Sequence, residues 1–277
     1  MIAEVPNLDL SERRAVAELL RRALDGGEPP LIRAFLFGSK ARGDDRHDSD
    51  VDVLALCAID PDDRDQAAAA LGEHAEAVYA ATGIAVEPWV VPECDLEVGG
   101  RTPMLVDALD DGIPIWPRGA SPLHIDFTPA DAAFCASCLL DWVDEGGSIV
   151  RRALGEGRWE DAALRARDDI TRMATAALLL DGDTRHRRRG SIVRFRERWV
   201  RTGRISRRAL PALEWAARAF PPDGLHRTRP IPVTPSATAT APLGFELAGL
   251  LEEMVVPLLF ERIAKTEDPW ATSGTLQ

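Results

Sequence analysis

The stretch Phe35-Leu36-Phe37-Gly38-Ser39-Lys40-Ala41-Arg42-Gly43-Asp44-Asp45-Arg46-His47-Asp48-Ser49-Asp50-Val51-Asp52-Val53 decides the fold. The apolar run from Leu31 to Phe37 reads as a buried strand that stops at Gly38-Ser39. A polar loop follows. A second strand opens with Asp50-Val51-Asp52 and continues through Val53-Leu54-Ala55-Leu56. Side chains alternate along a strand, so Asp50 and Asp52 point the same way, with Cα atoms about 6.7 Å apart. Two carboxylates on one face of an otherwise apolar strand are costly unless something neutralises them. Divalent cations carried by a nucleotide do so. Gly38 lacks a Cβ and lets the backbone approach phosphates closely. Ser39 adds a hydroxyl and an N–H beside it.

This ordered set resembles the signature of the DNA polymerase β superfamily of nucleotidyltransferases. It stands here as Gly38-Ser39-Lys40-Ala41-Arg42-Gly43 followed by Ser49-Asp50-Val51-Asp52. The resemblance implies that Asp50 and Asp52 bind two Mg²⁺ ions and that Gly38 and Ser39 hold the β- and γ-phosphates of a nucleoside triphosphate, expected to be ATP. Lys40 and Arg42 are candidates to add positive charge to the triphosphate site. The superfamily places a third carboxylate on the next strand. In this chain the run Ile84 to Val91 is that strand, with Ala85, Glu87, Trp89 and Val91 on one face, and Glu87 is its sole acid. In antibiotic-adenylating members, which the chain also resembles in length and two-part layout, the third carboxylate is a glutamate base. That likeness makes Glu87 the expected base. The residues alone leave a second reading open, a solvent-facing charge on an edge strand, where Pro88 is tolerated.

The 277 residues suffice for two domains and a sizeable core, and 45% hydrophobic content is ordinary for a globular protein. No apolar run approaches the roughly 18–20 residues that span a bilayer. The opening Met1-Ile2-Ala3-Glu4 lacks the pattern of a secretory signal, so a cytoplasmic location without membrane association is expected. Four cysteines in so long a chain make no disulfide framework. Cys135 and Cys138 have Cys-x-x-Cys spacing without a second pair, and read as small apolar residues of a helix. The net charge of −12 argues against a general nucleic-acid coat protein.

Along the chain, Asp9-Leu10-Ser11-Glu12 has the form of a capping box, opening an amphipathic helix over 12–24. A helix from about Pro61 to Ala81 follows the second strand. A short helix at 104–109 and a short strand at 113–116 precede a Pro/Gly/Ser-rich linker, Pro117 to Pro122. The second half reads as helices: 129–154 with a kink at Gly146-Gly147, 158–180, 191–202, 206–219, and 243–265 bent at Pro257. Pro221 to Pro242 reads as an exposed loop. The expected class is therefore α+β. Residues 1–118 form a nucleotidyltransferase domain, a mixed sheet flanked by helices, and residues 123–277 form an all-α bundle.

The second half resembles the HEPN helical domains that accompany small nucleotidyltransferases, on Arg185-His186-Arg187-Arg188-Arg189-Gly190-Ser191-Ile192-Val193, Phe195 and Trp199 to Ile205. HEPN ribonucleases carry an Arg with a His five to seven residues later. This half has no such pair, so a substrate-holding bundle is expected rather than a nuclease. The run Arg185 to Arg208 holds eleven arginines against Glu197 alone. It suits docking on acids of the protein, a triphosphate, or nucleic acid, since arginine forks match phosphate. Three functions compete. The first is metal-dependent transfer of a nucleoside monophosphate to a hydroxyl of a small acceptor of aminoglycoside-like kind, the cationic acceptor suited by Glu93, Asp95, Glu97, Asp107 and Asp111. The second is a fused module of toxin–antitoxin type that nucleotidylates a protein or RNA. The third is a degenerate nucleotide-binding regulator. A homodimer is expected by resemblance.

Overall fold

A computed structural model of the protein describes Val5 and residues 7–45, 49–184, 188–219 and 234–267, the side chains of Arg188, Arg189 and Glu267 excepted. The class is α+β. The chain divides into two compact units, Met1–Phe127 and Thr128–Gln277.

Unit 1 opens with α1 (Leu10–Gly26), whose Asp9 and Glu12 form the reciprocal capping box read from the sequence. Next come β1 (Leu31–Leu36), the short α2 (Gly38–Arg42), β2 (Val51–Cys57), α3 (Arg64–Thr82), β3 (Val86–Pro92), α4 (Pro103–Asp110) and β4 (Ile113–Trp116). The strands make one mixed sheet in the order β3-β2-β1-β4. β1 is antiparallel to both β2 and β4, while β2 and β3 run parallel across the α3 crossover. Alternation sends Val51, Val53, Ala55 and Cys57 to one face, where Val16, Leu19 and Leu20 of α1 and Leu71 and Val78 of α3 bury them. Phe35, Leu54, Leu56 and Val91 pack on the opposite face against Leu105, Ala108 and Leu109 of α4.

The boundary between units falls later than the sequence suggested. The expected domains ended at 118 and restarted at 123, but residues 119–127 belong to unit 1. Leu123 and Ile125 join the α4 side of the core, and Arg101 Nη1 donates to the Asp126 carbonyl at 2.9 Å. Composition marked Pro117 to Pro122 as the linker and put Leu123 and Ile125 in the second domain, whereas these two apolar side chains pack in the core of unit 1.

Unit 2 is helical: α5 (Pro129–Gly155), α6 (Trp159–Leu180), α7 (Arg188–Phe195) running into a π-turn at Arg196–Val200, α8 (Leu210–Arg218), α9 (Pro235–Ala239) and α10 (Ala241–Glu267). α6 lies in the core, with Ile170, Met173, Ala174, Ala177 and Leu178 buried against α5 and α10. α9 is a correction, because the sequence placed it in a loop; Thr234 caps it by accepting from the Ala237 N–H. Residues 221–233 of that expected loop lie outside the described residues. α10 continues through Pro257. Burial pushes the Cys135 thiol up to about 12, in keeping with a cysteine that packs.

α5 is one continuous helix across Gly146-Gly147, where the sequence suggested a kink. Gly146 makes room for a carboxylate, since a Cβ there would lie 2.3 Å from Asp169 Oδ2 on α6. Arg172 and Arg165 meet Asp169 Oδ1 at 3.0 and 3.2 Å. Burial nonetheless pushes the Asp169 carboxyl up to about 7, opposed by the two arginines and aided by Asp168. A carboxyl raised in the fold binds protons that the unfolded chain has released, so this group makes the fold less stable as pH rises from about 4 to about 7. Asp169→Asn is expected to flatten that part of the stability profile, read as the thermal midpoint across pH 4–8. An unchanged slope in the variant refutes the assignment.

Candidate active site

The end of the sheet where β1 stops and β2 and β3 begin gathers the residues singled out in the sequence. Phe37 ends β1 by donating its N–H to the Asp52 carbonyl at 3.1 Å. Gly38 then turns the chain with φ +73°, a conformation that costs glycine little. It is also the point of closest approach, because a Cβ on Gly38 would lie 2.1 Å from Asp52 Oδ2. The Asp52 carboxylate therefore sits directly on the Gly38 backbone.

The parallel ladder pairs Asp52 with Glu87, Leu54 with Trp89 and Leu56 with Val91. Register partners on neighbouring strands project to the same face, and such strands lie about 4.8 Å apart. Asp52 and Glu87 thus form one row of acids at the open end of the apolar rows that α4 covers. β3 is an edge strand and Glu87 is exposed. The edge position and the shared face with Asp52 hold together. Asp50 immediately precedes β2 and is half-buried; Val51 anchors that entry by donating its N–H to the Ala85 carbonyl at 3.0 Å.

Two side chains that the sequence reading did not assign also reach this corner. Phe37 and Trp89 are half-buried and meet with ring centroids 5.7 Å apart, lying in the apolar cluster next to the acid row. Their signal was present as alternation, but aromatic residues in strands read first as core.

The cations are placed differently from the sequence expectation. Lys40 is buried, and its Nζ lies 2.6 Å from Glu12 Oε1 and 2.7 Å from Asp45 Oδ2. Burial alone would lower the Lys40 pKa, but the hydrogen bonds to Asp45 and Glu12 outweigh it and hold the ammonium above its usual value. Lys40 joins α1, α2 and the segment after Gly43 instead of facing the acid row. Arg42 is half-exposed and pairs with Asp44 at 3.3 Å and Asp111 at 3.2 Å. His47 lies outside the described residues.

A cleft of about 940 Å³ opens at the other end of β2 and β3, lined by Glu28, Ala58, Asp60, Asp63, Glu93 and Glu97 among others. It is separated from Asp52 by the length of β2, about 20 Å at 3.3 Å per residue. Glu93 and Glu97, expected near a cationic acceptor, belong to this distant cleft, and Asp95 pairs with Arg64 at 2.5 Å. Among the described residues no three His, Cys, Asp or Glu side chains form a metal-holding group, and no helix is long and apolar enough to cross a membrane. No protein-family model matches the chain. No curated protein matches it in sequence.

Lys40→Met leaves Glu12 without its cation in a nearly closed setting. It is expected to cost about 2–4 kcal/mol, since breaking a buried pair strands the remaining charge. Urea unfolding of both chains measures this, and a midpoint equal to that of the parent shows the triad to be dispensable.

Proposed function

We propose that unit 1 is the catalytic domain of a metal-dependent nucleotidyltransferase of the polymerase β type. In this reading a nucleoside monophosphate, AMP from ATP by resemblance, passes to a hydroxyl of a small acceptor and pyrophosphate leaves. The observation that carries the proposal is the acid row: Asp52 and Glu87 paired in register on parallel strands, with Asp52 lying on Gly38. Structural acids at a strand end need neither the shared row nor the close backbone contact.

The donor set suits magnesium. Mg²⁺ is commonly held by one or two carboxylates together with substrate phosphates and water, not by an all-protein cage. Asp50 and Asp52 are the residues that would hold it, and a bound pair of ions would supply charge neutralisation at the phosphate being attacked. Gly38 and Ser39 open α2, and their backbone would meet the β- and γ-phosphates. Glu87, exposed at the edge, is free to reach an acceptor hydroxyl and take its proton. We assign Lys40 a structural part on its contacts with Glu12 and Asp45 and keep Arg42, of these two candidates, as the side-chain cation for the phosphates. The Phe37–Trp89 pair would offer an apolar wall for the ring of a substrate.

Pyrophosphate release from each of the four triphosphates with Mg²⁺, across a panel of hydroxylated acceptors that begins with amino sugars, tests the proposal. Asp50→Ala combined with Asp52→Ala is expected to abolish turnover. Glu87→Gln is expected to lower kcat by about 10²–10⁴-fold. Gly38→Ala drives a methyl group into the Asp52 carboxylate and is expected to lower kcat by at least about tenfold. Full activity in the double aspartate variant overturns the assignment.

A further inference from the structure

The two units differ in charge. Residues 1–127 hold 25 acidic and 11 basic side chains, net −14, whereas residues 128–277 hold 20 and 22, net +2. Within unit 2 the positive charge collects where α6 ends and the π-turn follows α7. Asp181 accepts from Arg204 Nη1 at 2.8 Å, from Arg262 Nη1 at 2.6 Å and from Trp199 Nε1 at 2.8 Å. Two residues on, Asp183 meets Arg194 Nε at 3.0 Å and Arg198 Nη2 at 3.5 Å. Glu197 takes Arg196 at 3.3 Å and Arg201 at 2.5 Å. Each carboxylate thus serves two guanidiniums.

A fastener between helices needs only one arginine per acid. Among the described residues two guanidiniums meet each of these carboxylates, and Arg207 and Arg208, a few residues on in the chain, are exposed. The acids are the inner partners: the side chains of Asp181 and Asp183 are 10% and 2% exposed, those of Arg198 and Arg204 43% and 51%. A guanidinium carries five N–H donors in a rigid fork. Arg204 turns one nitrogen, Nη1, inward to Asp181, and its exposed remainder faces water. The Trp199 ring lies 5.6 Å from each of the Arg204 and Arg262 guanidinium carbons and steadies both. The desolvated carboxylates and the ring hold the forks in place before any ligand arrives.

We propose that this corner of unit 2 is a phosphate-binding site, in which the exposed N–H groups of Arg198 and Arg204 grip an oligophosphate while Asp181 and Asp183 fix their orientation, and Arg262, bonded to Asp181 and to the Leu180 carbonyl, braces the corner from within. The chemistry suits either a phosphodiester run or a compact triphosphate. Trp199 is only 2% exposed and offers no face for a base, so recognition goes through phosphate and is independent of sequence. The proposal does not depend on the assignment of unit 1.

The test is fluorescence anisotropy of a short labelled single-stranded RNA with the full chain, using inorganic tripolyphosphate as competitor. EDTA is present, so that any metal-dependent binding by unit 1 is silent. Saturable binding that weakens with salt is expected. Arg198→Gln combined with Arg204→Gln is expected to raise Kd at least about tenfold and to reduce the log–log salt slope by about 1.4, from about 0.7 per lost phosphate contact on a single strand. Arg194 and Arg262 remain on the two acids in that variant, so its thermal midpoint is expected to stay near that of the parent. Displacement of the RNA by tripolyphosphate at comparable concentration assigns a compact oligophosphate. Binding of RNA without displacement assigns an extended backbone, and both results uphold the site. Failure of both probes to bind, or unchanged affinity and slope in the double variant, overturns it.

Discussion

Unit 1 turns on the contact between the Asp52 carboxylate and the backbone of Gly38. A carboxylate at the end of apolar strand rows needs either water or a cation. On the neighbouring strand its register partner is a second acid of the same row, Glu87. The strands on either side are tied firmly. Val53 and Ala55 are buried under α1 and α3, Leu54 and Leu56 under α4, so the row has little freedom to slide. A one-residue slip of β2 would send Asp52 into the α1–α3 core. The same packing that stabilises the sheet holds the acids in register.

The basic residues show how burial sorts groups of like charge. Lys40 stands one residue beyond Ser39 in the turn, yet it points to Glu12 and Asp45 and closes a joint between α1 and α2. An ammonium on a flexible stem can be drawn inward when two carboxylates meet it there. At the end of α6 in unit 2, Asp181 and Asp183 are the buried partners, and the Arg198 and Arg204 forks stay half-exposed. Lys40 thereby becomes a structural tether, while the arginine corner remains a surface that can meet an anion.

In unit 2, α6 is the element on which the others pack, and its polar groups are placed with care. Asp169 is buried and would clash with any side chain at position 146, so the glycine on α5 marks a close contact between two helices. The Gly244 position repeats the device at the start of α10: a Cβ there would lie 2.2 Å from the Trp215 ring, whose Nε1 donates to Thr240 at 2.9 Å.

Much of this was legible in the chain. Periodicity and caps located the strands and long helices, because alternation and 3.6-residue spacing are local properties. Alternation also put Asp50 with Asp52, and Glu87 with Trp89 and Val91. What local pattern does not contain is the partner across space. Register decided that Glu87 stands beside Asp52, and packing decided that Lys40 turns inward, that Gly146 faces a carboxylate, and that Leu123 and Ile125 join the core of unit 1. The sequence by itself determined which groups exist and how they are spaced along each element. Only the tertiary structure decided which of them meet, since a charge or a glycine takes its role from the atoms that close around it.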